Sequence, residues 1–189
     1  WLEEMLCQLT FRLSVPSFFQ INRAQTEVLY GVALDFARLT GAETVLDLYC
    51  GIGAISLALA RRAGRVIGAE IVPQAVDDAR ENARRNGISN AEFFCGDAGA
   101  VARKLDAEGV RPQVICVDPP RKGLASEVPA ILAGMAPERV VYVSCDPATL
   151  ARDVDRFVQL GYCPMQAQGV DLFPRTAHVE TIVLLQRGN

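Results

Sequence analysis

The 189-residue chain carries 19 Lys plus Arg against 22 Asp plus Glu, a formal charge of −3, and half of its residues are apolar. That balance excludes a strongly basic, self-sufficient nucleic-acid clamp, while the apolar content argues against disorder and supplies the core of one domain. Six cysteines without a Cys-x-x-Cys pair, a single histidine and no apolar run near about 20 residues set aside zinc, iron–sulfur and membrane-spanning readings, so no metal is expected.

The chain begins at Trp1 amid an apolar pattern with no secretory leader, which reads as part of a larger protein in a reducing, cytoplasmic setting. LTFRLSV predicts a strand over residues 9–15, PSFFQ a turn, and the recurrence of Leu29, Val32, Ala33 and Phe36 a helix from Arg23 to about Leu39. The period then changes. Short apolar runs (TVLDLY, RVIGAE, AEFFC, QVICV, RVVYVS) alternate with helical segments (AISLALARR, PQAVDDARENARRNG, AGAVARKLDAEG, PATLARDVDRFVQLG), interrupted by one Pro-rich linker. This is the sequence form of an α/β sheet. TIVLL closes it with a strand that has no returning helix, hence an antiparallel one preceded by a loop or hairpin. The expected organisation is an amino-terminal strand and helix over 1–40 packed on a core over 41–189, in a monomer.

The strand ends carry the chemistry. In VLDLYCGIG, Asp47 and Tyr49 finish a strand, and Gly51 and Gly53 allow a tight turn that a ligand can approach. Glu70, 19 residues after Gly51, is placed to accept hydrogen bonds from a ribose diol, and Asp97 from an adenine amino group. The missing third glycine weighs against a nicotinamide dinucleotide, and the set points to S-adenosylmethionine. Asp118 in CVDPPRKG should face the cleft, with Pro119 and Pro120 stiffening its wall. Cys145 precedes Asp146 and Pro147, an N-cap and first-turn pair whose helix end should lower the thiol pKa. Period-two alternation puts His178 and Glu180 on one face of the last strand.

The segments SVPSFFQIN, LDLYCGIG, CVDPPRKG, YVSCDPATLARD and DLFPRTAHVET together resemble the catalytic domain of bacterial S-adenosylmethionine-dependent uracil-C5 RNA methyltransferases, from about Leu9 through Leu185. The resemblance implies a Rossmann-like class I methyltransferase fold: a mostly parallel seven-stranded sheet with an antiparallel C-terminal strand and helices on both faces. It implies Cys145 as the nucleophile at pyrimidine C6, Glu180 as the base that removes the C5 proton, and Asp118 as the group orienting the base. Gln20, Tyr49, Gly51, Gly53, Glu70, Asp97 and Asp118 would seat the methyl donor. Phe19, Gln20, Arg121, Lys122, Arg152, Arg175 and His178 would contact RNA, 23S rRNA foremost and tRNA as the alternative. Asp146 stands where the family pattern varies; it opposes thiolate formation unless it caps the helix. RNA-binding regions that relatives carry ahead of this domain are not visible in the sequence. Two other readings remain open at this point: an exocyclic-nitrogen methyltransferase using Asp118-Pro119-Pro120, and an inactive donor-binding RNA-folding module.

Overall fold

A computed structural model of the chain describes residues 1–14, 20, 22–176 and 178–188. Strands β1 (Leu2–Leu6) and β2 (Leu9–Leu13) form an antiparallel hairpin. Cys7 and Gln8 at its tip both have positive φ, the pairing that a two-residue turn between twisted strands requires. Helix α1 (Arg23–Ala37) follows, opened by Asn22, whose Oδ1 accepts from the Gln25 N–H at 3.3 Å.

The rest alternates: β3 (Thr44–Leu48), α2 (Ala54–Ala60), β4 (Arg65–Glu70), α3 (Pro73–Arg85), β5 (Ala91–Cys95), α4 (Ala98–Ala107), β6 (Val114–Val117), α5 (Val128–Gly134), β7 (Arg139–Ser144), α6 (Pro147–Gln159), β8 (Tyr162–Val170) and β9 (Glu180–Arg187). The seven-stranded order is β5-β4-β3-β6-β7-β9-β8; β5 through β7 run parallel, and β9 inserts antiparallel to both β7 and β8. The order reverses between β3 and β6, so their carboxyl ends open the crevice where ligands of doubly wound sheets bind. This is the Rossmann-like class I methyltransferase architecture.

Alternation along each strand sorts the core into two layers. Val45, Cys116, Val141, Val143, Ile182 and Leu184 face α1, α2 and α3, while Leu46, Leu48, Val140, Tyr142, Val183 and Leu185 face α4, α5 and α6. Burying both faces requires the near-continuous apolar strands that the sequence shows. The hairpin is fastened differently. Asp78 and Asn82 of α3 and its C-cap Asn86, at four-residue spacing, accept from the backbone of β2 and of Ser14 just after it: Ser14 N to Asp78 at 3.1 Å, Arg12 N to Asn82 at 2.7 Å, and Thr10 N to Asn86 at 2.9 Å. A helix thus supplies the ladder partners that an edge strand otherwise lacks.

Several elements differ from the sequence expectation. The first strand ends at Leu13 and Val15 lies outside the described residues; its partner β1 was not expected because LEEML has exposed residues on both faces. α5 sits inside the segment read as a Pro-rich linker, while β8, with Pro164 at a bulge, pairs antiparallel with β9 as the hairpin that the sequence offers beside a loop. Helix α1 stops at Ala37 because Arg38 turns left-handed at φ +48. Among the described residues no helix is long and apolar enough to cross a membrane.

Candidate active site

The glycine turn is built from backbone conformation. Tyr49 has φ +67, Gly51 φ +53 and Gly53 φ +83, and a Cβ on Gly53 would come within 3.1 Å of the Phe93 ring. Left-handed backbone at a tyrosine is costly and is held here by two bonds, Tyr49 N and Cys50 N both donating to Ala69 O at 2.9 and 3.0 Å. Glu70, half-buried at the end of β4, accepts from Gly51 N at 3.1 Å and from Val72 N at 2.9 Å. Its carboxylate braces the turn and keeps lone pairs free for a further donor. Asp97 caps α4, accepting from Ala100 N at 3.0 Å.

Beside the turn, Gln20, Tyr30, Asp47, Tyr49, Gly51 and Asp118 line one cavity. Asp47 is 1% exposed; Ser56 Oγ donates to its Oδ2, while Oδ1 is buried without a partner among the described residues. Burial, followed by the Glu70 charge, pushes its carboxyl up to about 7 despite the Ser56 bond. Asp118 extends the β6 ladder through its N–H to Leu48 O at 3.3 Å, and burial, Glu180 and Asp47 push it up to about 8. An orphaned buried carboxylate oxygen in a cavity walled by acids fits a ligand that brings an ammonium or a sulfonium. Tyr49 is raised to about 12 by burial and then by Asp97, Asp153 and Glu127, so it stays a phenol.

The placing of Cys145 beside Glu180 comes from strand register. Ser144 of β7 is the partner of Thr181 of β9, so the next antiparallel position sets Cys145 against Glu180. Both residues share the alternation that points Val143 and Ile182 toward α1, the side on which Asp47 lies with Val45. Glu180 is 4% exposed and burial raises its pKa against the pull of Arg121. Cys145 is half-buried, and its thiol is raised by burial, Glu180 and Asp118, with Arg121 opposing. The expectation that the helix end lowers this thiol is therefore corrected: desolvation and two carboxylates outweigh it. Asp146 does cap α6, accepting from Thr149 N at 2.8 Å, and is absent from the charges that raise Cys145.

The expected RNA contacts are less uniform. Arg121 and Lys122 are exposed on the loop after Asp118-Pro119-Pro120. Arg152 is bound inward: it pairs with buried Asp153 and donates to Lys122 O at 2.9 Å. Arg175 is exposed in a turn at φ +70. His178 is exposed and precedes β9, which begins at Glu180, so the shared strand face does not form; its backbone N–H donates to Thr176 Oγ1 at 3.2 Å. Phe19 lies outside the described residues. Sequence reasoning missed Tyr30, whose place beside an apolar helix stripe reads as core, and Asn22, whose Nδ2 reaches Leu172 O at 3.0 Å and ties α1 to the loop before Glu180.

Comparison with known proteins gives the family of the chain. The sequence model described as tRNA (uracil-5-)-methyltransferase matches residues 5–188. An uncharacterized RNA methyltransferase of Lactiplantibacillus plantarum is 51% identical over 187 residues, which cover 98% of this chain and 41% of the relative. The chain thus spans about two fifths of the length of the curated relatives it matches. The crystal structure of Pyrococcus abyssi tRNA (uracil-54, C5)-methyltransferase in complex with S-adenosyl-L-homocysteine superposes with a TM-score of 0.82 at 33% identity, over 97% of this chain and 44% of that one. Precorrin-6y C5,15-methyltransferase of Geobacter metallireducens, at 15% identity and a TM-score of 0.71 over 94% of both chains, shares the fold alone. Matched by the family model over nearly all of its length, the chain belongs to the tRNA (uracil-5-)-methyltransferase family.

Proposed function

We propose that this chain is the catalytic domain of an enzyme that methylates C5 of a uridine in RNA, with S-adenosylmethionine as donor and S-adenosylhomocysteine as product. The observation that carries the reading is the register that sets Cys145 opposite Glu180, with Asp118 on the adjoining strand end. Family membership and the S-adenosylhomocysteine named for the Pyrococcus abyssi relative support it. When bound, the donor supplies an electrophilic methyl group on a cationic sulfur. Asp47 and Asp118 line the place for that cation, and Gly51 and Glu70 shape the adjoining turn for its nucleoside end.

Cys145 adds as a thiolate to pyrimidine C6, and the C5–C6 π electrons move toward C5 and O4. C5 then attacks the methyl carbon, whose bonding pair stays on the departing sulfur. Glu180 takes the C5 proton; the C5–H electrons restore the C5–C6 double bond and expel Cys145 as a thiolate. Asp118 orients the ring through its N3–O4 edge. At rest burial, and after it Glu180 and Asp118, raise the thiol above its ordinary pKa, so pairing of the acids with a cation favours its ionisation.

The test is incubation with 5-fluorouridine RNA and the donor, in which the absent C5 proton stops the sequence at the adduct. A covalent complex mapped by mass to Cys145 is expected, and it should vanish in Cys145→Ala. Turnover undiminished by Cys145→Ala, as an exocyclic-nitrogen methyltransferase would show, overturns the reading. 23S rRNA and tRNA fragments presented in parallel decide between the two substrate classes.

A further inference from the structure

The loop after Asp118 is riveted to α6 at several points. Thr149 Oγ1 donates to Arg121 O at 3.0 Å, Arg152 Nη2 donates to Lys122 O at 2.9 Å, and Leu124 N donates to Asp153 Oδ2 at 2.8 Å. Asp153 is fully buried and also accepts from Tyr142 OH of β7 at 2.8 Å, from Arg152, and from Arg156 Nη1 at 2.9 Å. Gly123, at φ +72, passes so close that a Cβ there would lie 2.4 Å from Arg152 Nη2 and 2.5 Å from Asp153 Oδ2. A buried carboxylate with this many donors fixes geometry more than it adds net stability. What it fixes is the backbone that carries Arg121 relative to the helix that begins just after Cys145.

We propose that Asp153, acting through Arg152, Thr149 and the 121–124 loop, is the positioning residue that holds Arg121 beside Cys145 and Glu180. The Arg121 carbonyl accepts from Thr149, whose N–H is capped by Asp146 next to Cys145, so Arg121 is held at the first turn of α6 beside the thiol, and its charge there favours the ionised forms of Cys145, Glu180 and Asp146. The other charges facing the thiol are Glu180 from β9 and Asp118 from β6, both opposing its ionisation, while Asp146 is engaged in capping α6. A loop free to drift would leave two carboxylates uncompensated. The importance given to Cys145 rests on the function proposed above, whereas the placement of Arg121 does not.

The experiment is the rate of iodoacetamide alkylation of Cys145 against pH, read on the Cys145 peptide by mass spectrometry because Cys95 and Cys163 are also exposed. It needs neither RNA nor methyl donor. Arg121→Met should raise the midpoint by at least about 0.5 pH unit. Arg152→Met and Thr149→Val should raise it in the same direction, Thr149→Ser should restore it, and Arg121→Met combined with Arg152→Met should add nothing to Arg121→Met alone. Asp153→Asn should act likewise where melting shows it folded; the two milder variants carry the test otherwise. An unmoved midpoint in Arg152→Met and Thr149→Val, an unmoved midpoint in Arg121→Met, or additive shifts in the double variant overturns the proposal. Shifted midpoints in a protein that forms no adduct with 5-fluorouridine RNA would overturn the methyl-transfer reading and leave the positioning role standing.

Discussion

Asp118 is held protonated below about pH 8, which decides the direction of its hydrogen bonds. In the proposed orientation of the base, the acid donates to O4 and accepts from N3–H, whereas the carboxylate only accepts. The Kd for RNA in the absence of the methyl donor should therefore rise between about pH 7 and 9 as the O–H is lost. Asp118→Asn carries both an N–H donor and a carbonyl acceptor, so it should keep the base oriented and flatten that alkaline rise. A Kd profile of Asp118→Asn that climbs like the wild type would assign the titration elsewhere. In the proposed mechanism Glu180 belongs to a later step. Replacing it with Gln leaves a neutral side chain that cannot take the C5 proton, so kcat should fall by about 10²–10⁴ while the Cys145 adduct accumulates on ordinary uridine RNA. Rapid product release by Glu180→Gln, seen in single-turnover gels, would exclude it as the base.

At the scale of elements, α3 acts as a surrogate strand. Asn82 is fully buried, takes the Arg12 N–H, and returns its own amide to Arg12 O and Ile52 O, each at 3.2 Å. It therefore couples the hairpin to the glycine turn. Asn82→Ala should cost about 2–3 kcal/mol by leaving buried backbone groups unpaired, and should weaken donor binding because Ile52 lies in that turn. Arg84→Ala on the solvent side of α3 should leave the melting curve nearly unchanged; equal losses from both variants would deny Asn82 its special place. No pattern of apolar residues announces such a contact. Periodicity made the buried strands and amphipathic helices legible, because both faces of the sheet are covered and each helix has one apolar side. β1 and β8 escaped for the opposite reason: they are edge strands whose side chains are largely exposed, with Pro164 and a bulge in β8. The positions of the candidate site residues were legible to the same extent. Asp47, Asp118, Cys145 and Glu180 stand at strand ends that the alternation locates, whereas Tyr30 and Asp153 sit within helices whose pattern reads only as packing.

For the whole molecule, the concentration of acids at one edge of the sheet has a thermodynamic consequence. Asp47 and Asp118 begin near 3.8 in the unfolded chain and rise to about 7 and about 8 on folding, and Glu180 rises with them. Between about pH 4 and 8 the folded protein therefore binds more protons than the unfolded one, so stability falls as pH rises through this window. Urea midpoints measured from pH 6 to 9 should decline steadily. Asp47→Asn removes one of these groups, and at pH 8 it should recover roughly 1–3 kcal/mol relative to the wild type, since Asn can still accept from Ser56. A cationic methyl donor seated among these acids should lower their pKa values. Its binding should then release protons, seen by calorimetry in buffers of different ionisation enthalpy, and should restore more stability at pH 8 than at pH 6. A flat urea profile, or donor binding without proton release, would mean that these carboxyls are already compensated in the folded protein and that the edge of the sheet is not the acidic receptacle its geometry describes.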